Sequence, residues 1–269
     1  MSLVYLSPAN KSHSVQSVVF TLDWQGELSD ATLTELQSLA PALKSNFPIH
    51  SLQNSQTINF GVTADAQTSN DIRLAGIVFS RNRADGNIAG QLAMMRTNCA
   101  IVLNDYSRWK PTIEAVMRYF KIILPVILKE KTVGAIGLQY VDKFFWRDDP
   151  KNLNLREVFR SDAPYIAPNV LGQVGPWHCH HGYVLEDLKG ISGMCLDNIN
   201  LSGLDNLGER EIQIHTTHQV TLKNPMRLAS KDYLQTIESV QNILHLHNKD
   251  VLTALLSDEI CKKINLIEN

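Results

Sequence analysis

Three histidines around one cysteine, His178, Cys179, His180 and His181, are the densest set of potential metal ligands in the chain. On a strand, residues two apart share a face, so His178 and His180 point together while Cys179 and His181 point oppositely. Two imidazoles on one face are half of a transition-metal site, and His215 or His218 on a later strand would have to complete it. No carboxylate or cysteine stands at a standard ligand spacing from them, so these histidines are expected to hold no metal. His245 and His247, two apart in a helical stretch, point roughly 200° away from each other and cannot chelate one ion. His247 falls in an apolar seam and reads as a core histidine with its partners satisfied. Glu186-Asp187-Leu188-Lys189, with Asp197 and Asp205, offers the residue types of a nuclease. The spacing does not match a proline-aspartate plus acid-x-lysine arrangement, and acidic turns between strands are common. No GxxxxGKS/T, GxGxxG, GxSxG or HExxH motif occurs. Cys99 and Cys195 lie in apolar strand patterns and read as packing residues. The sequence therefore predicts no catalytic residue, no cofactor and no metal.

Composition narrows the setting. The 269 residues are 44% hydrophobic and 19% charged, with a net charge of −2, a globular and not a disordered profile. No apolar stretch approaches the roughly 20 residues that cross a bilayer. The start "MSLVYLSPANKSH" has neither the basic opening nor the apolar run of a signal peptide. Four scattered cysteines without a CxxC pair point to reduced thiols and a cytoplasmic location. Charge is uneven along the chain: residues 1–70 sum to −3, residues 71–160 to +6 and residues 161–269 to −5. A basic middle of that kind is a possible footprint for a polyanion. The contacts would then be Arg81 and Arg83, which flank the Asp85-Gly86 turn, and Arg108 and Lys110, which open the next helix beside Tyr106 and Trp109. Helix N-termini add backbone amides to anion affinity, and aromatic rings stack on bases. The competing expectation is that Trp109 is buried and these charges only solvate the domain.

The elements that must position these residues follow from periodicity. Strands are predicted at Val15–Trp24, Thr57–Val62, Ile72–Ser80, Ile88–Met95, Ala100–Leu103, Thr132–Trp146, Trp177–Leu185, Ile191–Asn200 and Glu211–Leu222. Asp85-Gly86 is a hairpin signal. Helices are predicted at about 31–46 with Asp30 as N-cap, at 107–124, and at 230–255 with Ser230 as N-cap; a short one is expected around Leu155–Phe159, and Ser257-Asp258 caps a final turn. Pro125 should kink or end the second long helix near Leu124. Gly134 and Gly137 would let a neighbouring element approach. The fold class is α+β, antiparallel sheet meanders with long amphipathic helices packed on them. The Pro- and Gly-rich run "RSDAPYIAPNVLGQVGP" marks a boundary or loop. An N-terminal unit of residues 1–160 and a C-terminal unit of 161–269, packed as one globular body, are the expected organisation.

Three patches carry a resemblance. "YSRWKPTIEAV" resembles the Tyr-x-x-Trp amphipathic helix of a sporadically distributed bacterial family of uncharacterised α+β proteins of similar length. "GLQYVDKF" resembles the strand that follows there, and "LHLHNKDVLTALLSDEICKKI" its C-terminal Leu-Leu-Ser-Asp helix. The order and spacing extend over 60–70% of the chain, roughly judged, although only these patches are distinctive. The resemblance implies an α+β fold and a scattered, defence-associated distribution, and it carries no active-site residue. The expected function is a non-enzymatic binding or regulatory protein, an accessory or neutralising protein partner in a bacterial defence or toxin-type module. The alternatives are a nucleic-acid-binding module built on 71–160 and a metal-dependent enzyme built on His178–His181.

Overall fold

The stretch Val133–Trp146 alternates buried and half-exposed residues along most of its length, as a strand in mid-sheet must when only one face is covered. In the computed structural model, which describes residues 2–59, 69–206, 209–230 and 232–266, this strand is the hub. The elements in order are β1 (Leu6–Pro8), β2 (Val15–Trp24), α1 (Asp30–Gln37), α2 (Ala40–Leu43), β3 (Ile49–Asn59), β4 (Ser69–Asn82), β5 (Ile88–Met95), β6 (Asn98–Leu103), α3 (Trp109–Ile127), β7 (Val133–Trp146), α4 (Leu155–Val158), β8 (Trp177–Glu186), β9 (Gly193–Asn206), β10 (Glu209–Met226), α5 (Tyr233–Leu255) and α6 (Asp258–Lys263).

Ten strands form one antiparallel sheet, nine of them in the order β3-β4-β5-β6-β2-β7-β10-β9-β8 and the tenth, β1, paired with β7. The two ends, β3 to β6 and β8 to β10, are meanders of sequential neighbours. The centre is not: β7 pairs with β2 on one edge and with β10 on the other, so residues from both predicted units share one sheet. β1 lies end to end with β2 along the same edge of β7, pairing Leu6 with Trp146 where β2 pairs Val15 with Asp142. Between them residues 10–13 leave the ladder, while the Ala9 amide donates to the Lys143 carbonyl and the Lys143 amide to the Ser14 carbonyl.

The covered face carries α1, α3 and α5. α3 buries Ile113, Val116, Phe120, Ile123, Leu124 and Ile127, each contributing about 1.5–3 kcal/mol of gross hydrophobic stabilisation. α5 buries Ile237, Val240, Leu244, Val251, Leu252 and Leu255, and its Gln241 Nε2 donates to the Gly137 carbonyl at 3.1 Å. The opposite face carries Gln213, His215, Thr217 and Gln219 in a half-exposed row.

Several boundaries differ from expectation. The helix predicted over 31–46 is two pieces, and Ser29, not Asp30, caps the first by accepting from the Thr32 amide. Pro41 falls in the first turn of α2, where a missing N–H costs no intrahelical bond. Pro125 does not end α3, which runs to Ile127; the Leu128 amide still reaches the Leu124 carbonyl at 2.8 Å, so one bond is lost while Val126 and Ile127 stay buried. α5 begins at Tyr233, and Ser230 turns back through its amide to the Arg227 carbonyl instead of capping the helix. The strand predicted from Thr57 begins at Ile49, and its expected end at 60–62 lies outside the described residues. Ser257 does cap α6, accepting from the Ile260 amide at 3.4 Å. Asp85-Gly86 forms the β4–β5 turn with Gly86 at φ +84°. Gly137 is required, since a Cβ there would stand 2.3 Å from Thr21 Oγ1, whereas a Cβ at Gly134 would meet only the Asp23 carbonyl oxygen, at an ordinary 3.9 Å.

Buried apolar residues divide into two cores. One gathers residues of β2, β4 to β6, α1, α3 and the first half of α5; the other gathers Leu6, Phe144, Trp146, Ile199, Leu201, Ile212, Ile214 and the second half of α5 with α6. The row of β7 passes from Tyr140 in the first to Phe144 in the second through Asp142. The row of β9 passes from Cys195 to Ile199 through Asp197, and the row of β10 from Val220 to Ile214 through His218 and Thr216. On α5, His247 and Asn248 lie between Leu244 and Val251. All six of these polar side chains are buried. A polar belt thus crosses the sheet between the cores.

Candidate functional site

A carboxylate in the buried row of a strand is expensive unless each of its oxygens is matched. Along β7 the inward row reads Leu138, Tyr140, Asp142, Phe144, Trp146, and Asp142 is 1% exposed. The departure of the chain between β1 and β2 brings Ser14 to it, and the Ser14 hydroxyl donates to Asp142 Oδ1 at 2.6 Å. Asp142 Oδ2 is buried and has no hydrogen-bond partner. Burial pushes the Asp142 carboxyl up to about 6 against the opposing Ser14 hydrogen bond.

Asp142 lines a cavity of about 200 Å³ between the 13–15 segment, α3, β7, α5 and residues 264–266. Its walls are aromatic. Trp109 stacks on His245 with ring centroids 4.2 Å apart and planes within 4°, and its indole N–H donates to Asn242 Oδ1 at 2.7 Å. Tyr140 and His245 are joined through the hydroxyl and Nδ1 at 2.8 Å. Burial, with the Lys249 charge, lowers His245 to about 4, so its ring is neutral around pH 7. Tyr106 is pushed up to about 12 by burial and by the charge of Asp142. Arg108 and Lys249 bring positive charge to the same lining. The C-terminal segment is tied across the opening, Asn265 Nδ2 donating to the Ser12 carbonyl at 3.0 Å.

Asn248 links this cavity to a second polar cluster, since it lines the cavity and accepts from Thr216 at 2.6 Å. The same Asn248 Oδ1 lies 3.1 Å from His218 Nε2. His218 Nδ1 faces Asp197 Oδ1 at 2.7 Å, and His247 Nε2 faces Asp197 Oδ2 at 2.6 Å. Burial opposes the charged form of Asp197, but the hydrogen bonds and charges of the two imidazoles outweigh it and hold the carboxyl well below its ordinary range. Cys195 approaches the same carboxylate, its Sγ 3.5 Å from Oδ1. Among the described residues, Asp197, His218 and His247 are the one group of three such side chains whose ligand atoms all lie within 4.8 Å.

The histidines singled out in sequence lie elsewhere. His178 and His180 project from the outer face of β8, where His180 Nδ1 meets Asn200 Oδ1 at 2.5 Å, while His181 turns the other way to pack edge-on against Tyr165 and Tyr183. His215 shares their outer face two strands away, and His218 points inward, so neither gathers with His178 and His180. His247 is a buried histidine with a partner, and His245 diverges from it to the cavity. Asp205 pairs with Arg210, and Lys189 with Asp250 at 2.6 Å, so neither joins Asp197.

The four basic candidates divide. Arg81 pairs with Asp105 at 2.7 Å, and Arg83 donates to the Asn104 carbonyl, so both are drawn to the turn before α3. Arg108 lies on the cavity and Lys110 is exposed on the first turn of α3. Trp109 is engaged on both ring faces, with Phe20 at 5.7 Å and with His245. It is packed and does not present a ring for base stacking.

The comparisons with known proteins add little. No family model and no curated protein matches the chain. Among solved structures, one similar chain is the S. pombe Pct1 RNA triphosphatase, solved in complex with the Spt5 CTD, at 8% identity over 91% of this chain and 88% of that one with a TM-score of 0.13. A likeness at that level carries no argument. No helix among the described residues is long and apolar enough to cross a membrane.

Proposed function

We propose that the chain is a non-enzymatic binding protein whose ligand site is the cavity at Asp142. The single observation that carries this reading is that Asp142, whose buried Oδ2 has no hydrogen-bond partner, lines that cavity. A buried acceptor without a partner costs about 1–3 kcal/mol, and a ligand N–H group recovers it. The ligand class follows from the lining. A carboxylate that is ionised above about pH 6 favours a small, nitrogenous, cationic head. Arg108 and Lys249 favour an anionic group on the same molecule. The cavity volume suits a compound of amino-acid or nucleobase size. His245 serves as a neutral wall.

The wider setting, an accessory or neutralising protein partner in a bacterial defence or toxin-type module, is supported by the three sequence patches. All three contribute to the cavity wall, "YSRWKPTIEAV" through Tyr106, Arg108 and Trp109, "GLQYVDKF" through Tyr140 and Asp142, and "LHLHNKDVLTALLSDEICKKI" through residues such as His245, Asn248 and Lys249. Four free cysteines support a cytoplasmic location.

The test is a thermal-shift screen of small amines and guanidines, with and without a carboxylate or phosphate, followed by calorimetry. Binders that carry both charges are expected, with at least about a tenfold loss in Asp142→Asn, the energy of one charge-assisted hydrogen bond. Binding that Asp142→Asn leaves unchanged would refute the assignment.

A further inference from the structure

The belt contains a second cluster that the ligand reading does not use. Asp197 comes from β9, His218 from β10 and His247 from α5, so three separate elements deliver one carboxylate and two imidazoles to one point. Asp197 and His218 are 0% exposed and His247 8%. We propose that Asp197, His218 and His247 form a binding site for a divalent transition-metal ion of the zinc type.

The hydrogen-bond arithmetic points there. Asn248 Oδ1 accepts the Thr216 hydroxyl and faces His218 Nε2. An oxygen acceptor at that nitrogen places a ring proton on Nε2 and leaves Nδ1 as the atom that faces Asp197 Oδ1, at 2.7 Å. A proton is shared across a gap of that length, and a metal ion takes its place when the gap widens by about half an ångström. The Thr216–Asn248 brace is the outer support that a metal-bound histidine ordinarily has, one ring nitrogen held by a fixed acceptor so that the other is aimed at the ion. The ligand chemistry is that of zinc, which two imidazoles and one carboxylate hold with a fourth position left open. The cavity lies on the far side of Asn248, so this is a site distinct from the one at Asp142.

The residues differ from those the histidine motif suggested. His178 and His180 lie on the outer face of the sheet, and the proposal predicts that they are irrelevant to metal content. Three elements joined by one ion would bind α5 to the sheet at mid-length, so metal uptake should be coupled to stability.

The experiment measures metal in the full chain produced in zinc-supplemented culture and desalted, by mass spectrometry, together with the absorption spectrum after cobalt(II) exchange. The expected result is about one equivalent of zinc per chain, with cobalt giving the visible bands of a tetrahedral ion. Asp197→Asn, which keeps the side-chain shape, should hold less than about a tenth of the wild-type metal. His178→Ala/His180→Ala should hold all of it. Should Asp197→Asn fail to fold, the cobalt spectrum of the wild type decides alone. A wild-type chain with neither zinc nor cobalt bands overturns the site, as does an Asp197→Asn chain that keeps its metal.

Discussion

Asp142 and Asp197 stand on the same covered face of one sheet, both almost wholly out of water, and their surroundings drive them in opposite directions. Asp197 has a nitrogen opposite each oxygen, and its carboxyl is held well below the ordinary range. Asp142 has a single hydroxyl on one oxygen and nothing on the other, and its carboxyl is pushed up to about 6. Burial is common to the two, so burial alone does not distinguish them. The count of matched oxygens does. A fully matched buried charge ties elements together, here β9, β10 and α5. A half-matched one beside a cavity marks a place where something else completes the set.

The comparison is broken most strongly at Asp197. Asp197→Ala leaves two inward imidazoles without their acceptor, and the expected cost is about 3–5 kcal/mol in chemical denaturation. A loss under about 1 kcal/mol would mean that the belt does not hold α5 to the sheet. Asn248→Leu keeps the volume but strips the acceptor from Thr216 and His218, with an expected loss of about 1–3 kcal/mol.

Asp142 should respond with the opposite sign. Its folded-state value near 6 exceeds the ordinary carboxylate value, so the fold binds that proton more tightly than the unfolded chain does. The stabilising contribution is complete below about pH 4 and is lost as the pH rises to about 6, by about 3 kcal/mol at most. Asp142→Asn has no charge to lose, so it should be more stable than wild type by about 1–3 kcal/mol near pH 8 and by almost nothing near pH 4. Melting curves at the two pH values check this, and equal gains at both would remove the ionised carboxylate from the account.

The smallest effect belongs to the surface. The Arg81–Asp105 pair is about two-fifths exposed on each side. Arg81→Ala/Arg83→Ala should change stability by no more than about 1 kcal/mol, less at high salt.

The sheet and its helices were legible because their signals are local and periodic. The alternation of 133–146 and the apolar stripe of 109–127 each follow from one buried face. Ends were less legible where two caps compete, as at Ser29 and Asp30, or where buried neighbours outweigh a proline, as at Pro125. The site was written in the same alternation, as polar residues in rows that should be apolar: Asp142 between Tyr140 and Phe144, Asp197 between Cys195 and Ile199, His218 between Thr216 and Val220. The histidine-dense segment at 178–181 drew attention by composition, yet it occupies an outer face. That Asp197 meets His218 and His247, from positions 21 and 50 residues apart brought together by the register of β9 on β10 and the docking of α5, is not a local property. No spacing rule contains it.

Carboxyl carbon NMR of the folded protein, with the two aspartates assigned through Asp142→Asn and Asp197→Asn, reads the contrast directly. The account predicts that Asp142 titrates near pH 6 and that a bound cationic ligand moves its midpoint down, while Asp197 stays ionised throughout the range in which the fold persists. An Asp142 signal that titrates at the ordinary carboxylate value, near 4 as in an exposed peptide, would contradict it.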